Sequence, residues 1–380
     1  MENFTAYNPT KLHFGREVTE HLGETVAEYG TRVLLMYGKG SIKKNGIYDK
    51  VLDQLKSINA EIIEYSGIKS NPLVNDVQQA AQSGKLNQID LIVAVGGGSV
   101  IDSAKITALA IANNTDPWAI MKFKVKPKTN IPVIAVLTLA ATGSEMNGAA
   151  VLQNHDTDEK VGFVSSLNFP KHSFLDPTYT FTVPRDYTAY GIVDLIAHSL
   201  EGFFGEGDAT LTDRFVASII KEAMEYGPRV LSEPENYEYR AKIMWAATTA
   251  LNGLTNHGRK SGDWGVHDIG HNLSYLFDTP HGATLSIAYP AWLRLQKERI
   301  PDRIAKLGEH LFDNPSVDGT IERLENFFQL LGSPIKLADI GIGEDKKEMI
   351  IEQMVKTEAN GMVHKLTDED RKRMVEYMMG

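Results

Sequence analysis

Two segments in the second half of the chain combine aspartate and histidine at spacings that suit a metal ion. In GIVDLIAHSLEGFF, Asp194 and His198 lie four residues apart, which places both side chains on one face of a helix. In VHDIGHNLSYLFDTPHG, three of the chain's 11 histidines fall within 15 residues, namely His267, His271 and His281. The chain has no cysteine, so a metal site must be built from His, Asp or Glu.

The chemistry of these side chains favours a divalent transition ion. One carboxylate and several neutral imidazoles suit Fe²⁺ or Zn²⁺. Asp194, His198, His267 and His281 could supply four ligands and leave a position for a substrate oxygen. Such an ion acts as a Lewis acid on an aldehyde carbonyl or on an alcohol, whose oxygen charge must be stabilised during hydride transfer. Each pair alone could be an ordinary helix-surface pair or a satisfied buried histidine, and it is the clustering that predicts a metal site.

A glycine-rich turn, Gly96–Ser99, directly follows the apolar segment 90–95 and opens a helical stretch. Consecutive glycines allow a ligand to approach the backbone, and a helix N-terminus presents unpaired N–H groups to a pyrophosphate. The alternative is a tight strand-to-helix turn that binds nothing. The spacing is neither GxGxxG nor a Walker loop. Asp102 could contact a cofactor or only compensate the helix dipole, and Lys105 is expected to be solvated.

A second polar turn, Thr138–Asn147, follows the apolar segment 132–137. Its residues Thr142, Gly143 and Ser144 offer hydroxyl and backbone donors. In an open parallel sheet, ligands bind beyond the carboxyl ends of the strands, so two such turns are stronger evidence than one.

The elements around these turns alternate between apolar strands and amphipathic helices until about Pro184, and helical spacing dominates afterwards. This order predicts an N-terminal α/β domain with a parallel sheet over residues 1–184 and an all-helical domain over residues 185–380. The predicted elements are strands 32–37, 61–66, 90–95 and 132–137, a helix-like stretch from Ser41 to about Ala60, and helices 74–86, 99–113, 319–331, 346–358 and 367–379.

The composition of the chain argues against some classes of binding partner. The formal net charge of −10 and a pI of about 5.6 argue against nucleic acid as a partner. No apolar run reaches the length of a membrane span, and Met1–Lys11 has neither the basic start nor the apolar core of a signal peptide. With no cysteine, the chain is expected in the cytoplasm, without membrane association.

These motifs together resemble the iron-containing (group III) alcohol dehydrogenases, in particular their butanol dehydrogenase and broad aldehyde reductase branch. The resemblance runs over nearly the whole chain and rests on the GGGS…D…K segment, TGSEMN, Asp194 with His198, and the block from His267 to His281. It implies a dehydroquinate synthase-like fold, a dinucleotide-binding domain followed by a helical metal-binding domain, and a homodimer. The second turn reads LAATGSE where many relatives carry a TxGTGSE-like sequence, which affects the hydroxyl contacts expected there.

The resemblance also implies residue roles. Asp194, His198, His267 and His281 would hold iron or zinc, and His271 would be the catalytic proton relay. The pyrophosphate would lie on Gly97, Gly98 and Ser99, the nicotinamide ribose near Asp102, and the adenine side of the cofactor near Thr138 and Thr142. Asn147 and Lys160 complete the cofactor contacts, although Lys160 could equally be a solvated charge.

The turn after the first strand bears on which nicotinamide is used. Tyr37–Ser41 contains no carboxylate to hold adenosine ribose hydroxyls, as NAD-specific folds usually have. Gly38 leaves room, Ser41 can donate a hydrogen bond and Lys39 can pair with a 2′-phosphate. We therefore predict NADP, with NAD as the alternative.

Three other functions compete with a small alcohol or aldehyde dehydrogenase. A lyase resembling dehydroquinate synthase needs basic groups around a phosphate-bearing substrate, whereas the segments flanking the proposed ligands are apolar and aromatic. Glycerol dehydrogenase, which oxidises a polyol, is a second alternative. The TGSEMN segment and the Asp194–His198 pair fit the alcohol and aldehyde branch better. A non-catalytic metal- or nucleotide-binding sensor stays open at this point.

Overall fold

The alternation of apolar strands and helices builds the predicted parallel sheet in the computed structural model, which describes residues 1–380. The strands are β1 Lys11–Phe14, β2 Arg32–Gly38, β3 Glu61–Ile68, β4 Leu91–Gly96, β5 Val133–Leu137, β6 Ala149–Asn154, β7 Glu159–Val164 and β8 His172–Leu175. Six of them form one sheet in the order β1-β8-β5-β4-β2-β3, and all neighbours pair in parallel. A separate antiparallel hairpin contains β6 and β7.

Helices accompany this sheet within one unit of the structure, Tyr7–Val183 with Glu235–Met244. They are α1 Leu22–Ala27, α2 Ser41–Lys44, α3 Ile47–Ser57, α4 Val74–Leu86, α5 Gly98–Ala112 and α6 Pro117–Met121. The helix-like stretch from Ser41 to Ala60 is therefore two helices, because Gly46 adopts φ 78° between them, a conformation that interrupts a right-handed helix.

Alternate residues of the central strands enter two different cores, which is why these strands have no polar side. On β2, Val33 and Leu35 pack with one cluster, while Leu34 and Met36 pack with the other. Successive side chains of a strand point to opposite faces, so the sheet is covered by apolar contacts on both faces. This rigid sheet carries the two polar turns at the ends of β4 and β5.

The other unit contains Met1–Ala6, Pro184–Pro234 and Trp245–Gly380. Its helices are α7 Arg185–Phe203, α8 Thr210–Ser232, the second half of α9 Tyr237–Ala250, α10 Gly265–Phe277, α11 His281–Gln296, α12 Pro301–Phe312, α13 Val317–Leu331, α14 Lys347–Lys356 and α15 Asp368–Met379. The predicted fold class, an α/β part followed by a helical part, is confirmed. The six N-terminal residues group with the helices, and the start of α9 groups with the sheet.

A buried charge cluster connects α8 to α12 within the helical unit. The carboxylate of Asp213 is fully enclosed and pairs with Arg259, Arg303 and Lys306. Burial alone would raise the pKa of Asp213, but hydrogen bonds and attraction from these cations lower it well below its ordinary value. The cluster therefore favours an ionised aspartate inside the unit.

None of the helices combines the length and the apolar composition that crossing a bilayer requires.

Candidate metal centre and cofactor-binding turns

Helix α7 carries the first two predicted ligands in an almost completely buried stretch. Asp194 and His198 are 2% and 5% exposed, and Oδ1 of Asp194 lies 3.7 Å from Nδ1 of His198. The three residues between them are apolar, and α7 is buried on all sides over residues 191–203, so the two polar groups must find partners inside the protein.

Helices α10 and α11 bring two more imidazoles to the same carboxylate oxygen. Oδ1 of Asp194 lies 3.8 Å from Nε2 of His267 and 3.7 Å from Nε2 of His281. Potential ligand atoms of these three residues all lie within 4.8 Å of one another. Their separation in sequence is large, and only the packing of α7, α10 and α11 brings them together.

The atoms that face this point are buried and lack hydrogen-bond partners. They are Oδ1 of Asp194, Nδ1 of His198 and Nε2 of His267. Leaving buried polar atoms unpaired costs about 1–3 kcal/mol each, so their convergence fits a cation that accepts their lone pairs. His198 lies outside the cluster of three, although its ring stacks on His267 with centroids 4.6 Å apart.

Helix α11 approaches α7 through a glycine next to His281. A Cβ at Gly282 would collide with the backbone carbonyl of Tyr190. The chain turns into α11 at Pro280, whose carbonyl accepts hydrogen bonds from Ala283 and Thr284. The backbone contact between the two helices therefore sets the position of His281.

Glu201 supports the centre, and the sequence analysis missed it. Nδ1 of His267 lies 2.8 Å from Oε1 of Glu201, and since a carboxylate only accepts, Nδ1 carries the proton. The same carboxylate accepts from the backbone N–H groups of His267 at 3.1 Å and Trp264 at 2.5 Å. Glu201 lies seven residues after Asp194, hence on the same face of α7, and that spacing could have revealed it.

The two buried imidazoles differ in their electrostatics. Burial lowers the pKa of His198 to about 4, with only partial opposition from Asp194. Burial would also lower the pKa of His267, but the nearby carboxylates of Asp194 and Glu201 outweigh it and raise the pKa to about 9. A divalent cation would compete with this proton, since a metal binds the neutral imidazole.

His271 is one turn beyond His267 on α10 and is half-buried. Its ring centroid is 5.5 Å from that of His281. It is not part of the cluster of three potential ligands. The structure therefore places His271 beside the centre.

The first cofactor turn joins β4 to α5. Gly97 precedes the 15-residue helix α5 and has no side chain, so no side-chain cap satisfies the first N–H groups of the helix. Gly98 packs against Thr142 so closely that a Cβ would collide with that side chain. The hydroxyl of Ser99 donates to the carbonyl of Ser70 at 2.5 Å. An uncapped helix N-terminus of this kind fits a pyrophosphate.

Asp102 and Asn147 bond to protein groups inside the α/β unit. The carboxylate of Asp102 accepts from the hydroxyl of Ser144 at 2.5 Å and from the N–H of Val151 at 2.9 Å. Oδ1 of Asn147 accepts from Lys105 at 3.2 Å and from the N–H of Ala149 at 2.9 Å. Their predicted contacts with a cofactor stay predictions.

Two lysines are buried rather than exposed to solvent. Lys105 is 0% exposed, so the expectation that it is solvated is wrong. Lys160, on β7, is also buried, and its ammonium donates to Oδ1 of Asn71 at 2.9 Å. The alternative of a solvated Lys160 is therefore also wrong.

The remaining predicted cofactor residues lie at the ends of β2 and β5. Lys39 and Ser41 are exposed and Gly38 is half-buried. Thr138 is half-buried, and its N–H donates to the carbonyl of Gly96 at 3.0 Å. Parallel register aligns the ends of β2, β4 and β5, so the three predicted segments follow adjacent strands at one edge of the sheet.

Known proteins match this chain over nearly all of its length. Residues 9–177 match the iron-containing alcohol dehydrogenases, and residues 188–378 match the C-terminal part of the Fe-containing alcohol dehydrogenase family. The probable NADH-dependent butanol dehydrogenase 1 of Bacillus subtilis is 41% identical over 379 residues, which are 97% of this chain and 98% of that protein. The NADPH-dependent aldehyde reductase of Escherichia coli is 36% identical, with 99% of each chain covered.

A solved structure shows the same architecture. The crystal structure of NADH-dependent butanol dehydrogenase A from Thermotoga maritima matches with a TM-score of 0.97 and 37% identity, covering 100% of this chain and 99% of the other. The chain therefore belongs to the iron-containing alcohol dehydrogenase family, in its branch of NAD(P)(H)-dependent butanol dehydrogenases and aldehyde reductases.

Proposed function

We propose that this protein transfers hydride between a nicotinamide dinucleotide and a small primary alcohol or aldehyde, such as butanol and butanal. The observation that carries the proposal is the convergence of Asp194, His267 and His281 on a buried point, with Oδ1 of Asp194 and Nε2 of His267 unpaired. Asp194, His198, His267 and His281 would hold Fe²⁺ or Zn²⁺ there. Such an ion supplies Lewis acidity that polarises the substrate oxygen.

The protein's own contribution to this centre is orientation. Glu201 accepts a hydrogen bond from Nδ1–H of His267, so that Nε2, which faces Asp194, is the nitrogen that would bind a cation once its proton is displaced. A carboxylate behind a metal-binding histidine fixes the tautomer and the ring, and it raises the basicity of the ligand. The residues at this point therefore match a binding site for a divalent cation better than they match a buried polar cluster that binds nothing.

We assign His271 the role of proton relay. It is half-buried and adjacent to His281, with ring centroids 5.5 Å apart, yet it is not in the cluster of potential ligands. Imidazole is the side chain that most often acts as a general acid or base in enzymes. It would pass the proton that the substrate oxygen gains or loses.

The cofactor supplies or accepts the hydride, and the chain would bind it along the carboxyl edge of the sheet. The uncapped start of α5, with Gly97, Gly98 and Ser99, would hold the pyrophosphate. Thr138 and Thr142 would face the adenine side, and Asp102 would lie near the nicotinamide ribose. Asn147 and Lys160 would complete the cofactor contacts. The exposed turn with Gly38, Lys39 and Ser41 would meet the adenosine ribose.

The preference for NADP rests on Lys39 and Ser41, and relatives named for either nicotinamide match this chain. A homodimer in the cytoplasm, with no nucleic-acid partner, completes the proposal.

A steady-state assay tests the proposed function directly. The purified protein, loaded in turn with Fe²⁺ and Zn²⁺, is given butanal with NADPH or NADH, and absorbance of the reduced nicotinamide is followed. We expect cofactor oxidation that requires metal and depends on butanal. Turnover of glycerol with NAD but none of butanal would favour polyol oxidation instead. Cofactor and metal binding without turnover of either substrate would favour a sensor.

A further inference from the structure

Lys105, in the middle of α5, is completely enclosed although it carries an ammonium group. Lysine is almost never fully buried unless it is paired. Here Nζ donates to the hydroxyl of Ser144 at 2.8 Å, to Oδ1 of Asn147 at 3.2 Å and to the carbonyl of Ala149 at 2.7 Å. All three donor positions of the ammonium are thus used, and every acceptor lies 39 to 44 residues further along the chain.

The hydroxyl of Ser144 links this lysine to Asp102. Ser144 accepts from Lys105 and donates to Oδ1 of Asp102 at 2.5 Å, while Oδ2 of Asp102 accepts from the N–H of Val151 at 2.9 Å. Asp102 and Lys105 are on α5, Ser144 is in the second polar turn and Val151 is on β6. A single polar network therefore connects the second polar turn and the β6–β7 hairpin to α5.

Opposite charges in this network attract one another, and this attraction opposes the effect of burial, which raises the pKa of Asp102. Attraction to Asp102 and to buried Glu145 acts on Lys105, and Asp102 is also attracted by Lys160 on β7. Two cations and two carboxylates therefore act on one another in the interior. Loss of one charge would leave an uncompensated partner, which is costly in a buried site.

We propose that Lys105 is a positioning residue for the dinucleotide, which holds the turn Thr142–Asn147 against the N-terminal half of α5. The inference rests on the proposed function, because that function places the dinucleotide on these two segments. The close contact of Gly98 with Thr142 transmits any shift of the turn directly to the glycine turn. Lys105 acts through these neighbours, and contact with the cofactor is not required.

Three variants test this role in the metal-loaded, full-length enzyme. Lys105→Met keeps the length of the side chain but removes the charge and three hydrogen bonds. Ser144→Ala removes only the shared hydroxyl, and so keeps the test valid if Lys105→Met does not fold. The control is Lys85→Met on α4, an exposed lysine with a single hydrogen bond to Asn114.

The main readout is the Kd of NADPH and of NADH, measured by fluorescence titration. We expect Lys105→Met and Ser144→Ala to raise both by roughly tenfold, equivalent to about 1.4 kcal/mol, and Lys85→Met to leave them unchanged. Metal content, and KM for butanal at saturating cofactor, should match the wild type. A merely destabilised protein would instead lower the active fraction and keep the Kd.

The pH dependence gives a second readout. Burial lowers the pKa of Lys105 to about 8, although Asp102 and Glu145 oppose the shift. The ammonium is therefore lost above about pH 8, and wild-type affinity for NADPH should weaken there, a step that Lys105→Met lacks. Wild-type Kd values and pH profiles in both Lys105→Met and Ser144→Ala would overturn the inference alone. No binding of NADPH or NADH by the wild type would overturn it together with the proposed function.

Discussion

Oε1 of Glu201 lies 2.8 Å from Nδ1 of His267 and also 3.1 Å from the backbone nitrogen of the same residue. One carboxylate oxygen therefore fixes both the ring and the backbone of a proposed ligand. The other oxygen accepts from the N–H of Trp264, which adopts a left-handed conformation with φ 64° at the start of α10. An orienting carboxylate in this position makes the affinity for metal depend on a residue that is not itself a proposed ligand.

Glu201→Gln is expected to weaken metal binding by roughly ten- to a hundredfold, because a neutral amide orients the imidazole less strongly than a carboxylate does. Competition with a chelator of known affinity measures the change. Glu206→Gln is the matched control, since Glu206 forms an exposed ion pair with Lys260. Equal metal affinity in the wild type and Glu201→Gln would show that Glu201 supports the helix start only.

Removal of a proposed ligand should have a larger effect than removal of His271. We expect His267→Ala and His198→Ala to lose most of the metal and nearly all turnover, because both side chains point unpaired nitrogens into the centre. His271→Ala should keep its metal and cofactor affinity, with a lower kcat and an altered pH profile.

Elemental analysis and steady-state kinetics across pH distinguish these outcomes. Full metal occupancy and activity in His267→Ala and His198→Ala would refute the ligand assignment. Metal loss in His271→Ala would make His271 a ligand.

Lys39→Ala tests the predicted preference for NADP. A charge-assisted contact with a 2′-phosphate contributes about 1.5–3 kcal/mol, so kcat/KM for NADPH should fall by about ten- to a hundredfold while that for NADH changes little. Lys43→Ala is the control, because Nζ of Lys43 already lies over the ring of Tyr48 at 4.3 Å and 3.9 Å from Glu64.

The experiment begins with the wild-type protein, for which kcat/KM is measured with NADPH and with NADH. Equal values, or a preference for NADH, would contradict the prediction. A preference for NADPH that persists in Lys39→Ala would assign the selectivity to Gly38 and Ser41.

Asp213→Asn should destabilise the protein by about 3–5 kcal/mol at pH 7, because it leaves buried Arg259 and partly buried Arg303 without their counter-ion. Chemical denaturation measures the free energy of unfolding. The pKa of Asp213 is lowered in the folded protein, so its contribution is present above the unfolded pKa and is lost as pH falls. The difference between variant and wild type should therefore shrink below about pH 4.

Lys306→Met, which removes a more exposed partner of the same carboxylate, should cost about 1 kcal/mol or less. A stability difference between wild type and Asp213→Asn that did not shrink in acid would mean that the cluster does not act through the charge of Asp213.

Strong local patterns made much of the fold predictable. Apart from Arg32 at the start of β2, strands β2, β4 and β5 are continuous apolar runs, so they were predicted to within a residue or two at each end. Strands β1 and β8 have four residues each, too few to show a period. The hairpin β6–β7 was missed because β7, EKVGFV, combines charges and a glycine.

The functional site was likewise predictable only where local sequence patterns determine it. The Asp194–His198 pair and the His267–His281 block each follow local helix spacing and were visible in the sequence, whereas their approach to one another comes from the packing of α7, α10 and α11. The burial of Lys105 was not, because its three acceptors come from a distant turn and strand that only tertiary packing brings to α5. Lysine as a residue type predicts a solvated side chain, and the tertiary contacts override that expectation.

The backbone contact between Gly282 and Tyr190 makes the place of the His281 imidazole depend on a neighbour that has no side chain. Proline caps the helix, histidine offers a nitrogen, and glycine permits the helix to lie against its neighbour without a side chain in between. Even alanine in place of this glycine would push the helices apart, and the imidazole would move with its helix away from the aspartate.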